Sequence, residues 1–131
     1  MSAFTCHGVL ARHPDLRLVL VENGAEWVPS FLEQLGDTYS KMPHEFDGDP
    51  VEQFKRNVWV SPFHEDDIAE LCGLLGADHL CFGSDYPHPE GLAEPCSYVD
   101  HLPEGLPEDD VKAIMGGNLA QIMKVDTLAA A

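Results

Sequence analysis

The sequence predicts an α/β protein with a parallel sheet, on three observations. Short apolar runs alternate with amphipathic stretches in the order strand, helix, strand, helix, strand, helix, helix. The strand candidates are almost continuously apolar, the pattern of strands buried on both faces. Prolines and acidic residues stand where the amphipathic stretches begin, which suits helix N-termini. Parallel strands joined in this way require right-handed crossovers.

The first strand is read at Leu16 to Glu22, LRLVLVE, and Asn23-Gly24 breaks it. From Trp27 to Met42, residues Trp27, Val28, Phe31, Leu32, Leu35 and Tyr39 recur at helical spacing, with Pro29 in the first turn. Pro43 to Pro50 is a polar surface excursion, long for a βα connection. Val51 to Arg56 reads as a short helix. Asn57 to Phe63, NVWVSPF, reads as the second strand, with Pro62 tolerated at its exit. His64 to Leu75 is the next helix, opened by Glu65, Asp66 and Asp67, striped by Ile68, Leu71, Leu74 and Leu75, and ended by Gly76. The third strand is His79 to Ser84. Tyr86 to Pro95, with three prolines and Gly91, forms an ordered loop. Helices at Pro107 to Met115 and Asn118 to Val125 close the chain, and Thr127 to Ala131 reads as a frayed tail.

With 131 residues the chain is long enough for one compact domain spanning 1–131. Its net charge of −16 argues against nucleic acid and against an anionic membrane surface, both of which want clustered Lys and Arg. The charge reads first as a solvated surface and second as attraction for a cationic partner or a metal ion. Cys6, Cys72, Cys81 and Cys96 form no C-x-x-C pair and read as reduced thiols of a cytoplasmic protein. MSAFTCHGVLARHPD has no signal-peptide pattern, and no apolar run reaches the ~18 residues of a membrane span.

The chemistry concentrates in CFGSDYPHPEG, Cys81 to Gly91. An apolar strand delivers Asp85 to its C-terminal end, where parallel α/β folds bind ligands. Gly83 removes a side chain where a close approach is needed. A carboxylate in this place binds a divalent metal, accepts a proton, or does both. The alternative is an Asp that caps the following turn. His88, three residues on, either touches substrate and neighbouring groups or bonds to backbone. Trp27 and Trp59 read as core or rim packing. His7, His13, His44, His64, His79 and His101 read as structural or exposed, and Glu65, Asp66 and Asp67 as a solvated helix start.

FGSDYPHPEG resembles the motif that ends the last barrel strand in the amidohydrolase-related family, which includes aminocarboxymuconate-semialdehyde and resorcylate decarboxylases. Three further stretches agree in order: Gly8 to Tyr39 with the sixth strand and its helix, Phe54 to Leu71 with the seventh, and Leu106 to Met123, containing Gly-Gly-Asn, with the closing helices. The resemblance implies about strands six to eight of a (β/α)₈ TIM barrel, a fold of roughly 250 residues. It implies a metal site of an H-x-H pair, a fifth-strand His and an eighth-strand Asp, the last being Asp85. The cofactor implied is a divalent metal, zinc first and manganese second. None of the seven histidines forms an H-x-H pair. The isolated chain is therefore expected to be inactive, since transition-metal sites usually need three or four protein ligands. The decarboxylase branch carries a His after the sixth strand. Here VENGAEW puts Glu22 and Asn23 there, with Glu22 either an acid/base group at the pocket rim or a hydrogen-bonded strand end.

Two functions follow. In the first, the chain is part of a metal-dependent enzyme that hydrolyses an amide or ester-like bond, or decarboxylates a small molecule, with Asp85 as ligand and general base. In the second it is a non-catalytic half-barrel, an interaction module or truncated gene product. Open sheet edges lead either form to expect self-association or a missing N-terminal half as partner.

Overall fold

The computed structural model describes residues 1–125, so the tail expected at Thr127 to Ala131 lies outside the described residues. Residues group into two compact units: Met1–Leu18 with Trp27–Val58, and Val19–Glu26 with Trp59 onward.

The first unit is helical. Two short helices, α1 (Ser2–Cys6) and α2 (Val9–Arg12), precede the first strand. Sequence reading assigned them nothing, because helices of four or five residues are too short for an amphipathic period to register. The long helix α3 (Trp27–Lys41) buries Val28, Leu32 and Leu35 along the predicted stripe. Trp27, Phe31 and Phe54 form an aromatic cluster with centroids 5.5–6.2 Å apart. Phe54 comes from α4 (Pro50–Asn57), which Asp49 caps by accepting from the N–H groups of Val51 and Glu52. Asn57, 1% exposed, ends α4 and donates to the carbonyls of Pro14 and Leu16 at 2.9 and 2.6 Å. One amide side chain therefore fixes the segment that leads into the first strand.

The second unit holds the sheet. β1 (Leu18–Leu20) lies beside β2 (Val58–Val60). Ser61 N donates to Leu20 O at 3.0 Å, and Cys81 N donates to Val60 O at 2.8 Å with the same stagger. Val60 and Leu80 pair as a parallel bridge, as the alternation of elements predicts. The strands are shorter than the sequence predicts, for physical reasons. β1 covers three residues instead of seven and is half-buried, not buried on both faces: Val21 is 56% exposed, and Glu22 turns into the left-handed region at φ 58°. The third strand, read at 79–84, contracts to a single bridge at Leu80. His79 belongs to a 3₁₀ turn (Ala77–His79), and the N–H of Phe82 goes to Ile114 O at 2.9 Å instead of continuing the ladder.

α5 (Ile68–Leu75) starts four residues later than predicted, at the Asp67 cap, whose carboxylate accepts from Glu70 N at 2.9 Å. α6 (Glu108–Lys112) passes through a widened π turn at Ala113–Gly117, broken at Gly116 (φ 154°), into α7 (Asn118–Met123). Asn118 is 4% exposed and donates to Ala77 O and Leu80 O at 2.8 and 2.6 Å. The Asn of the Gly-Gly-Asn stretch is thus a structural clamp on the segment that leads to Asp85. Trp59 stacks on His79, 4.5 Å between centroids, and its Nε1 donates to Asp78 O at 2.9 Å. Among the described residues no helix is long and apolar enough to cross a membrane.

Two predictions follow from this packing. Asn118→Ala takes the side-chain donor from both carbonyls and leaves Ala77 O with the Leu80 N–H alone, and Asn118→Asp, of equal size, cannot donate to them. Each is expected to lower unfolding free energy by about 2–4 kcal/mol in urea titration, and a loss below ~0.5 kcal/mol contradicts the clamp. Cys81 is 3% exposed and burial pushes its thiol up to about 11, whereas Cys6 and Cys96 are exposed. At pH 8 a disulfide reagent is expected to label Cys6 and Cys96 at once and Cys81 only on unfolding, because roughly one Cys81 in a thousand is then thiolate.

Candidate metal centre

Asp85 follows the sheet segment directly, with φ 56°, a conformation uncommon outside Gly, Asn and Asp. The loop it opens closes on itself through three backbone bonds: His88 N to Asp85 O (2.9 Å), Gly91 N to His88 O (3.0 Å) and Leu92 N to Ser84 O (2.8 Å). Gly91 permits the closure, since a Cβ there would lie 2.5 Å from Asp85 O and 2.9 Å from Ser84 O. Gly83 answers a different approach: a Cβ there would strike the hydroxyl of Ser61, which is 5% exposed.

The Asp85 side chain is 14% exposed and its Oδ1 lies 2.8 Å from His88 Nδ1, while His88 is 55% exposed. The hydrogen bond and charge of Asp85, and then Glu90 and Glu22, raise the His88 pKa above its ordinary value. His88 thus bonds to a carboxylate through its ring, as well as to backbone through its N–H. Glu90 joins the pair, and one ligand atom from each of Asp85, His88 and Glu90 falls within 4.8 Å of the others.

Asp85 and Glu90 line an open cavity of about 440 Å³ with Glu26, Phe63, His64, Glu65, Asp66, Gly83 and Ser84. Five of the nine lining residues are acidic and none is Lys or Arg, so the cavity favours a cation. One imidazole nitrogen with carboxylate oxygens suits zinc or manganese, so the donors present fit a divalent ion. Glu22 does not join this lining. Its left-handed turn leaves it exposed, and Glu26, at the end of the same turn, lines the cavity instead.

Sequence reading missed Glu26, His64, Asp66 and Glu90. Only Glu90 carried a signal, its i+5 spacing from Asp85 in the rigid loop. His64 was grouped with the structural or exposed histidines, yet it lines the cavity, with Nδ1 3.2 Å from Glu65 Oε2 and its ring 5.0 Å from that of His101. Asp66 is not part of a solvated helix start. Its Oδ2 accepts from Ala25 N and Phe63 N, both at 2.8 Å, joining the segments that follow β1 and β2. Tyr98, fully buried, donates to Pro62 O at 3.0 Å, and burial raises its pKa.

Removing the Asp66 carboxylate leaves two part-buried amides without that acceptor. Asp66→Ala is expected to cost about 2–3 kcal/mol and to speed hydrogen exchange at Ala25 and Phe63 selectively. Unchanged exchange at both amides contradicts the clasp.

The amidohydrolase family model matches residues 3–122. An amidohydrolase from Mycobacterium avium subsp. paratuberculosis K-10 is similar in structure, with 41% identity and a TM-score of 0.88 over 93% of this chain and 32% of its own. A 5-carboxyvanillate decarboxylase from Sphingomonas paucimobilis matches at 24% identity and TM-score 0.74, over 93% of this chain and 38% of its own. A dihydroxybenzoic acid decarboxylase from Polaromonas sp. JS666, solved with manganese and the inhibitor 2-nitroresorcinol, matches at 18% and 0.70, over 95% and 38%. The last two likenesses establish the fold alone. No protein of curated function matches. The chain spans about a third of the length of these solved structures. It belongs to the amidohydrolase family.

Proposed function

We propose that this chain supplies about strands six to eight of the barrel in a metal-dependent amidohydrolase-superfamily enzyme, with Asp85 as metal ligand and proton acceptor. The observation that carries the reading is the placement of Asp85: a largely buried carboxylate after the Leu80 segment, facing an acidic cavity. The remaining ligands come from strand tips outside residues 1–131, in a longer chain or a second polypeptide. The site suits zinc or manganese, which would supply Lewis-acid polarisation of a carbonyl or carboxylate oxygen.

The protein's own groups divide the other tasks. His88 Nδ1 engages Oδ1 of Asp85 and orients its carboxylate. Asp85 takes the proton from the attacking nucleophile and returns it to the leaving group. Glu26 and Glu90 add negative charge to the walls and repel an anionic substrate that arrives without a cation. The substrate is a small molecule with an amide or ester-like bond. Non-oxidative decarboxylation is the competing chemistry. The segment after β1 carries Glu22 and Asn23 where decarboxylase relatives carry a His, and this favours hydrolysis.

A non-catalytic interaction module is the second reading. It is favoured by the half-exposed β1 and the 56% exposure of Val21 at its exit.

A chimera tests the choice. This chain replaces the structurally equivalent third of the Mycobacterium amidohydrolase. The chimera is expected to purify with stoichiometric divalent metal and to retain the parent's turnover. Asp85→Asn in the chimera is expected to lower turnover at least ~100-fold. Equal metal content and turnover in the Asn variant contradict the assignment.

A further inference from the structure

Of the residues that line the acidic cavity, His64 alone carries an imidazole. We propose that His64 is a catalytic acid of this site, giving a proton from Nε2 to the leaving heteroatom of the substrate. The inference rests on the hydrolytic reading and deepens it, since it names the group through which the proton taken up by Asp85 returns.

The first support is the composition of the wall. Five carboxylates, a phenyl ring, a hydroxyl and one imidazole face the hollow. Carboxylates have ordinarily given up their protons by neutral pH. The hydroxyl, that of Ser84, accepts from Tyr86 N at 3.3 Å and is far too weak an acid to protonate a departing group. Imidazole is the side chain of this wall that exchanges a proton near neutrality.

The second is placement. His64 stands four residues beyond β2, at the strand end where parallel α/β folds gather reacting groups. The chain is fixed on both sides of it. Ahead of it, the buried Tyr98 hydroxyl donates to Pro62 O at 3.0 Å, and Phe63 N donates to Asp66 Oδ2 at 2.8 Å. Behind it, Asp66 N donates to Phe63 O at 3.2 Å, and the same carboxylate holds Ala25 N. The Phe63 ring is packed on Gly24, where a Cβ would lie 3.0 Å from it. A donor must be held in place before the bond breaks, and these contacts supply that order.

The third is the orientation of the ring. His64 keeps 22% exposure, and its Nδ1 lies 3.2 Å from Glu65 Oε2. The His101 ring packs edge-on against it, 5.0 Å between centroids. With Nδ1 turned to a carboxylate, Nε2 is the nitrogen left for the substrate, the relation between a catalytic imidazole and its orienting acid.

Asp85 takes a proton from the nucleophile as the new bond to carbon forms. The bond from carbon to the heteroatom then breaks, its electron pair stays on the heteroatom, and that pair takes the Nε2 proton of the imidazolium. The neutral ring recovers a proton from the Asp85 carboxyl through the solvent of the shared cavity, so both groups end as they began.

The test uses the chimera with the Mycobacterium amidohydrolase and two acetate esters. p-Nitrophenolate leaves without a proton, whereas ethoxide needs one. His64→Gln is expected to lower kcat/KM about 100-fold on ethyl acetate and less than about 3-fold on p-nitrophenyl acetate. A structural fault lowers both alike. His64→Asn repeats the comparison with a smaller side chain, and circular dichroism and metal content confirm that each variant is folded and loaded. His44→Gln, exposed and outside the cavity, is expected to change neither ester, and Asp85→Asn to lower both. In the chain itself, long-range ¹H–¹⁵N NMR is expected to find the neutral His64 ring protonated at Nδ1. Protonation at Nε2 in its place overturns the orientation and the donor with it. Equal loss on the two esters, or none, in folded His64 variants while Asp85→Asn lowers both overturns His64 as the acid and leaves the metal-enzyme reading standing. Turnover of both esters kept in Asp85→Asn, or of neither by the chimera, overturns the hydrolytic reading and this inference together.

Discussion

The backbone of residues 80–92 is the constraint on which the site depends. Leu80 pairs with Val60, Cys81 bonds back to Val60, and Phe82 is handed to Ile114, so the chain leaves the sheet at a defined point. Asp85 then turns through positive φ into a loop closed by its own carbonyl and that of Ser84. Each contact is ordinary, worth about 1 kcal/mol. Their joint effect is to leave the Asp85 carboxylate few orientations, with one oxygen engaged by His88. A metal ligand requires this kind of pre-set geometry, because an ion gains little from a side chain it must first immobilise.

Much of this was legible in the sequence. The strand at LVL, the stripe of α3 and the break between the last two helices at Gly116-Gly117 follow from periodicity and end signals that act locally. The Asp85 motif was legible because strand, glycine and proline loop are contiguous. What stayed hidden depends on partners distant in sequence. Asp66 looked like one of three solvated acids, and its bond to Ala25 exists only once two segments about 40 residues apart meet. Glu22 and Glu26 were indistinguishable by type, and the turn between them decided which faces the cavity. The third strand shrank because Phe82 found its acceptor in a helix that pattern reading does not connect to it.

The acidic cavity ties fold to function. Clustered carboxylates without a counter-cation repel one another, and here they line one hollow together with a histidine. Structural polar groups solve that problem with hydrogen bonds, as Asp66 and Asn118 do. Asp85 and Glu90 line the hollow as well. Family membership gives this arrangement its meaning: in a barrel enzyme the tips of the strands surround the reacting centre, and the proposed role of Asp85 is to bring one carboxylate to that ring.

The most direct measurement is anomalous diffraction from crystals of the protein grown with Mn²⁺. The account predicts one strong manganese peak within bonding distance, about 2.1–2.3 Å, of a carboxylate oxygen of Asp85. A peak on other residues, or an Asp85 side chain turned out of the cavity to cap its own turn, contradicts it.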